Sequence, residues 1–187
     1  MSTCQIEKAE CRKQAKQSPI TAVQRFRMGE AMSVALFSSS VWKKAHDIFC
    51  FYGAADEPAT ERILQTALQE GKRLYLPRCA PNGQMDIVRL HHLQDVSVGR
   101  YGLQEPTGNN CVPPSAIDLA ILPCLAMDQT GARLGRGCGY YDRFLTQYTG
   151  ISVALCAEKR LVDQLPCEAH DQKVHTIITE LRTIYVA

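Results

Sequence analysis

The sequence lacks the features that would mark it for a membrane, for nucleic acid or for export. It has no apolar run approaching the ~18 residues that a membrane span needs. No stretch of Lys and Arg exceeds two residues. With 21 basic and 19 acidic side chains the formal net charge is only +2, too small a bias for a phosphate backbone. The N-terminus is polar and charged through Lys16 and has no apolar segment of the signal-peptide kind. The nine cysteines include no C-x-x-C pair and do not have the spacing of zinc ligands. They are expected as reduced thiols of a cytoplasmic protein, mostly small core residues. Gly-Lys-Ser/Thr does not occur, and neither does G-x-G-x-x-G, so both common nucleotide-loop fingerprints are excluded. There are no internal repeats and no low-complexity tracts.

What is present suits a globular enzyme. The chain has 187 residues, 45% hydrophobic and 21% charged, and is expected to form one α/β domain over 1–187. A chain of this size buries about 70% of its unfolded surface and needs no staples. Apolar runs at 47–52, 72–76, 118–124 and 151–157 read as strands covered on both faces. Helical patterns lie between them at 60–70 and 142–148. The first two strands and the helix between them form a β-α-β unit, so those strands should be parallel. The fold expected is an open, mainly parallel, Rossmann-like sheet in three layers, α/β/α, with antiparallel edge strands. Residues 85–90 alternate as a further strand. Residues 174–179 and 182–186 read as a closing hairpin, 109–114 as a loop, and 158–165 as a short helix stopped by Pro166. Ser18-Pro19 reads as the cap and first turn of a helix whose apolar stripe is Val23, Phe26, Met32, Leu36 and Phe37. Trp42 is read as packing. His91 and His92, adjacent on a strand, point to opposite faces and are read as solvated.

One stretch concentrates chemistry. Arg133-Leu134-Gly135-Arg136-Gly137-Cys138-Gly139-Tyr140-Tyr141-Asp142-Arg143 lies between a buried strand and a helix. Three alternate glycines let the backbone come close to a ligand and present its N–H groups. Arg133 and Arg136 add permanent charge and a fork that fits phosphate oxygens. Asp142 is placed to hold a hard cation such as Mg²⁺ against the same phosphates. On composition alone, a tight packing loop with solvated arginines is an open alternative.

The string from Leu134 to Leu145 resembles the signature of the 5-formyltetrahydrofolate cyclo-ligase (methenyltetrahydrofolate synthetase) family. Sparser matches run along the chain: Lys8-x-x-Cys11-Arg12, Glu57-x-x-Thr60, Met85-Asp86-x-Val88-Arg89, Gly102-Leu103-x-Glu105-Pro106, and Pro166-x-Glu168-x-x-Asp171-x-x-Val174. The resemblance implies ATP-dependent conversion of 5-formyltetrahydrofolate to 5,10-methenyltetrahydrofolate, giving ADP and phosphate. It implies that Lys8, Arg12, Arg133, Leu134, Gly135, Arg136, Gly137, Cys138, Gly139, Tyr140 and Tyr141 bind ATP. Arg136 and Tyr140 would be catalytic, Tyr52, Glu57 and Tyr101 would contact the folate, and Asp142 with Asp171 would hold Mg²⁺. Lys8 and Arg12, four residues apart, share one helix face; read alone, that face is a solvated one. The residue-level alternatives for Glu57 and Tyr101 are a carboxylate at a helix N-terminus and ordinary packing. Two departures stand out: Cys138 where the family usually has Gly or Lys, and His175 where it usually has a second tail Asp. The expected partners are ATP and 5-formyltetrahydrofolate, with or without a polyglutamate tail; no nucleic acid, no membrane and a monomeric chain are expected. Another ATP-dependent enzyme on the same scaffold, or a non-catalytic nucleotide- or folate-binding protein, remain as alternatives.

Overall fold

The protein is described by a computed structural model that covers residues 2–186. In chain order the elements are α1 (Thr3–Gln17), α2 (Ala22–Ser38), α3 (Ser40–Lys44), β1 (Asp47–Phe49), α4 (Glu61–Gln69), β2 (Arg73–Cys79), β3 (Met85–Leu90), β4 (Val96–Val98), β5 (Gln104–Pro106), β6 (Cys111–Val112) and β7 (Leu119–Pro123). They continue with β8 (Ala126–Asp128), β9 (Arg133–Leu134), α5 (Tyr140–Thr146), β10 (Ile151–Leu155), β11 (Leu161–Val162), β12 (Thr176–Ile178) and β13 (Thr183–Tyr185). The main sheet has eight strands in the order β13-β12-β10-β7-β1-β2-β3-β6. The five central strands are parallel, and β13, β3 and β6 run antiparallel at the two sides. The three-layer, mainly parallel architecture read from the sequence is therefore the one observed.

Alternation along the central strands builds two cores. Ile48, Leu119, Ile121, Val153 and Leu155 face α2, α3 and α4, while Phe49, Ala120, Leu122 and Ala154 face Phe144 and Leu145 of α5 and Tyr148 just beyond it. Both faces are covered, as a parallel sheet requires. Trp42 is buried, and its indole N–H donates to Glu70 at 3.0 Å. Gly29 sits where α2 touches the chain before α4, and a Cβ there would lie 2.2 Å from the Ala59 carbonyl oxygen.

Several local expectations are corrected. α2 starts at Thr21 rather than at Ser18-Pro19, because Thr21 and Gln24 form a reciprocal capping box; Ser18 instead closes α1. Val23 and Phe26 are 61% and 60% exposed and do not belong to the core stripe, which Met32 and Leu36 carry. β1 stops at Phe49 instead of running to Tyr52, because the Phe51 carbonyl accepts from the Thr60 hydroxyl at 2.9 Å and leaves the ladder. β2 runs on through Pro77: β1 has already ended at Tyr75 in register, so the missing N–H faces no partner. The loop expected at 109–114 contains β6, paired to β3. The helix expected at 158–165 is a single 3-10 turn followed by β11, captured by parallel pairing with β8. His91 and His92 are exposed, as read, but lie just past the end of β3 at Leu90 instead of on the strand.

Candidate active site

The chain visits β1, then β2 on one side, and β7 on the other. The space beyond the carboxyl ends of β1 and β7 is thus the switch point where ligands of such sheets bind. Three pieces of chain meet there: the turn of residues 53–57 after β1, the loop of residues 135–139 between β9 and α5, and one face of α1.

The small sheet β11-β8-β9 carries the loop. Gly137 and Gly139 adopt φ of +101° and +67°, a region that side chains other than glycine disfavour. Among the described residues the amides of Gly135, Arg136, Gly137, Cys138 and Gly139 donate to no protein acceptor. Five consecutive free N–H groups are a cradle for an anion. α5 begins at Tyr140 with Gly139 as its cap. It is only seven residues long, so the loop amides, more than a helix dipole, make the positive field.

The charged residues singled out in the sequence come together in ion pairs. Arg136 donates to Asp56 at 2.5 Å and to Glu57 at 3.0 Å. Its pairing joins the glycine loop to the turn after β1, 79 residues away in sequence. Burial works against the Arg136 charge, but Asp56 and Glu57 outweigh it and hold its pKa above the ordinary value. Burial would raise the Asp56 carboxyl, yet the Arg136 guanidinium holds it below the usual carboxylate range. Glu57 is 5% exposed, and its second oxygen accepts the Ala54 N–H at 3.0 Å.

Arg133 lies beneath the loop rather than lining it. Its side chain is 2% exposed and donates to Asp142 at 2.9 Å, with the guanidinium 5.4 Å above the Tyr141 ring. Its Nε is buried without a partner among the described residues. Burial, then the Glu57 charge, pushes the Tyr141 hydroxyl well up, so it stays a neutral donor. Leu134 is core. Tyr140 packs under Arg143, 5.5 Å from its ring. Tyr101, at φ +59°, is 68% exposed; Tyr140 first, then Cys138, raise its hydroxyl pKa.

The face shared by Lys8 and Arg12 is not simply solvated. Arg12 donates to the Gly135 carbonyl at 2.9 Å. One turn back, about 6 Å along the axis, Lys8 pairs with Asp171 at 2.5 Å and Glu168 at 3.0 Å. Burial would lower the Lys8 pKa; Asp171 and Glu168 overcome it and raise it. Burial would raise the Asp171 carboxyl, but the Glu168 N–H and Lys8 lower it below its ordinary 3.8. A carboxylate with a lowered pKa stabilises the fold above its unfolded value and loses that contribution as pH falls. The stability gap between wild type and Lys8→Met, measured by urea unfolding, is therefore expected to be full at pH 6 and to close as pH drops below about 4. A gap unchanged at pH 2.5 would refute the pairing.

Tyr52, expected as a folate contact, is not brought to the loop, and neither is His175, noted as a departure from the family pattern. Tyr52 packs against the α2–α4 core; burial raises its hydroxyl, with Glu61 and Arg25 as its charged neighbours. The Nδ1 of His175 accepts the Ser152 N–H at 3.1 Å on β10. Asp56 and Glu168, given no role of their own from the sequence, are partners here; the signals for them were the place of Asp56 just beyond a strand end and of Glu168 within the tail match. Among the described residues no three His, Cys, Asp or Glu side chains gather as a metal site. Asp142 and Asp171 each keep one oxygen free of hydrogen bonds among the described residues, which leaves each carboxylate able to take a hard cation.

The chain is similar to known proteins along most of its length. A curated mouse 5-formyltetrahydrofolate cyclo-ligase is 27% identical over 86% of both chains, and its Escherichia coli counterpart is 28% identical over 86% of this chain and 92% of that one. The NMR structure of Aquifex aeolicus 5,10-methenyltetrahydrofolate synthetase superposes with a TM-score of 0.85 at 29% identity, covering 96% of this chain and 92% of that one. A Mycoplasma pneumoniae 5,10-methenyltetrahydrofolate synthetase, 18% identical with a TM-score of 0.76 over 93% of this chain and 99% of that one, shares the fold. The model of the 5-formyltetrahydrofolate cyclo-ligase family matches residues 5–180, nearly the whole of the chain, and the chain belongs to that family.

Proposed function

We propose that this chain catalyses ATP-dependent closure of 5-formyltetrahydrofolate to 5,10-methenyltetrahydrofolate, with release of ADP and phosphate. The observation that carries the reading is the Arg136 bridge: a phosphate-type loop and a carboxylate turn, each suited to one substrate, are in direct contact. The formyl oxygen is a poor leaving group. Transfer of the γ-phosphoryl group from ATP to it, with ADP leaving, turns it into a phosphate ester; N10 then attacks the activated carbon, loses its proton and expels phosphate as the ring closes. Such a reaction needs reactants held in line and charge neutralised on the transferring group. The free loop amides, Lys8, Arg12 and Arg136 hold the triphosphate, and Arg136 meets the charge that develops. Arg133 acts from below by fixing Asp142 and Tyr141. Glu57 accepts hydrogen bonds from the folate, and Tyr101 and Tyr140 close the loop over the reactants. Asp142 and Asp171 would hold Mg²⁺, whose role when bound is to neutralise phosphate charge.

We infer also that the protein is a cytoplasmic monomer built as one domain, acting on 5-formyltetrahydrofolate with or without a polyglutamate tail. All nine cysteines are unpaired, in keeping with a reducing compartment, although an Arabidopsis relative is named mitochondrial. No described helix is long and apolar enough to cross a membrane. The test is absorbance at about 360 nm, where the methenyl product absorbs through its extended conjugation, on mixing protein, 5-formyltetrahydrofolate, Mg²⁺ and ATP. A rise that needs both protein and ATP is expected. A flat trace with both ligands bound would favour a non-catalytic protein, and one without folate binding a different substrate.

A further inference from the structure

The turn of residues 53–57, which carries Asp56 and Glu57, is pinned from two sides. From α2, Arg25 donates to the carbonyls of Gly53 and Ala54 at 2.8 and 3.1 Å and is neutralised by Glu61 at 2.7 Å. From the segment after β10, Arg160 donates through Nη1 to the Asp56 carbonyl at 2.8 Å. The two arginines differ in one respect. Arg160 is 4% exposed, pairs with no carboxylate among the described residues, and leaves its Nε buried without an acceptor.

A buried guanidinium without a carboxylate partner is costly. If the position served packing alone, an apolar side chain would serve it better. What the charge does here is act on both ends of one residue. The Asp56 main chain is bonded to Arg160, and the Asp56 carboxylate, which feels the same charge, is bonded to Arg136. Glu57 follows directly and is aimed at the same Arg136. A shift of the Asp56 peptide therefore moves the carboxylate that receives the substrate, and errors of about 1 Å at such a position are costly in catalysis.

We infer that Arg160 is a positioning residue for the substrate side of the site: through the Asp56 carbonyl it fixes the turn that aims Glu57. The inference rests on the reading of Glu57 as a folate contact. It predicts a split between the two substrates. Arg160→Gln removes the charge and shortens the reach; the KM for 5-formyltetrahydrofolate is expected to rise about tenfold or more, with the KM for ATP within about twofold of wild type. Arg160→Lys, which keeps charge and one donor, is expected to recover most of that loss. Thermal unfolding is measured on the same samples. A fall in Tm with both KM values unchanged would overturn the inference, and so would equal rises in both KM values. Failure of both variants to fold would do the same, by assigning Arg160 to the fold instead of the site. If wild type forms no methenyl product, it is the proposed reaction that falls. The variants are then read by calorimetric titration with 5-formyltetrahydrofolate, where an unchanged Kd, or no binding by wild type, overturns the role of Arg160.

Discussion

Arg136→Ala is expected to lower kcat by about 10²–10³-fold, the usual effect of removing one preorganised charge donor from a transition state, and to leave the fold intact. The fold should survive because the Arg136 side chain is 43% exposed and packs in no core cluster. The folate side should suffer as well. Glu57, with a side chain 7% exposed, would lose its counter-charge and the contact that holds its Oε1 in place. The KM for 5-formyltetrahydrofolate should then rise along with the loss in kcat. Arg136→Lys keeps the charge but not the fork that reaches Asp56 and Glu57 together, so it should recover only part of the rate. Steady-state kinetics with each substrate varied in turn decides the matter. A kcat within a factor of two of wild type would remove Arg136 from the mechanism.

Asp142→Ala is expected to act twice. The reaction should be lost to detection, because the carboxylate proposed to hold Mg²⁺ is gone. The protein should also be destabilised by about 3 kcal/mol, the lower end of what breaking a buried pair costs, since Asp142 is 24% exposed while its partner Arg133 is only 2% exposed. For a chain of this size that corresponds to a fall in Tm of about 6–12 °C. The double substitution Arg133→Met with Asp142→Ala separates the two effects. It removes the stranded charge, so much of the stability should return while activity stays absent. Equal instability of the single and double variants would show that the ion pair is not what the fold needs. Activity retained in Asp142→Ala would sink the metal assignment.

The recognisable loop and the recognisable fold were both legible in the linear sequence, for local reasons. A run such as Leu119–Pro123, buried at every position, is apolar throughout because both sheet faces are covered, and that pattern needs no partner to be read. The string from Leu134 to Asp142 is dense because the backbone itself does the work there: Gly137 and Gly139 hold positive φ, which most other residues disfavour. The positions of strand and helix ends were less legible. Thr21 displaced Ser18 as a cap because of Gln24, and β11 replaced a helix because β8 offered it a ladder; a tertiary partner overrode a weak local preference.

What only the tertiary structure decided is who pairs with whom. From the sequence, Arg133 and Arg136 look alike, two arginines of one loop. Folded, the first is buried and serves Asp142, while the second reaches across to Asp56 and Glu57. Lys8 and Asp171 stand 163 residues apart and carry no mark of each other, and Arg160 lies in an unremarkable Glu-Lys-Arg run. Tyr52 turns to the core and Tyr101 is exposed, though both read equally well as substrate contacts. Charge pairs of this kind depend on the sheet order, which brings the ends of β1 and β7 side by side. The sequence by itself determined the layers, the loop and the family; the order of strands decided the site.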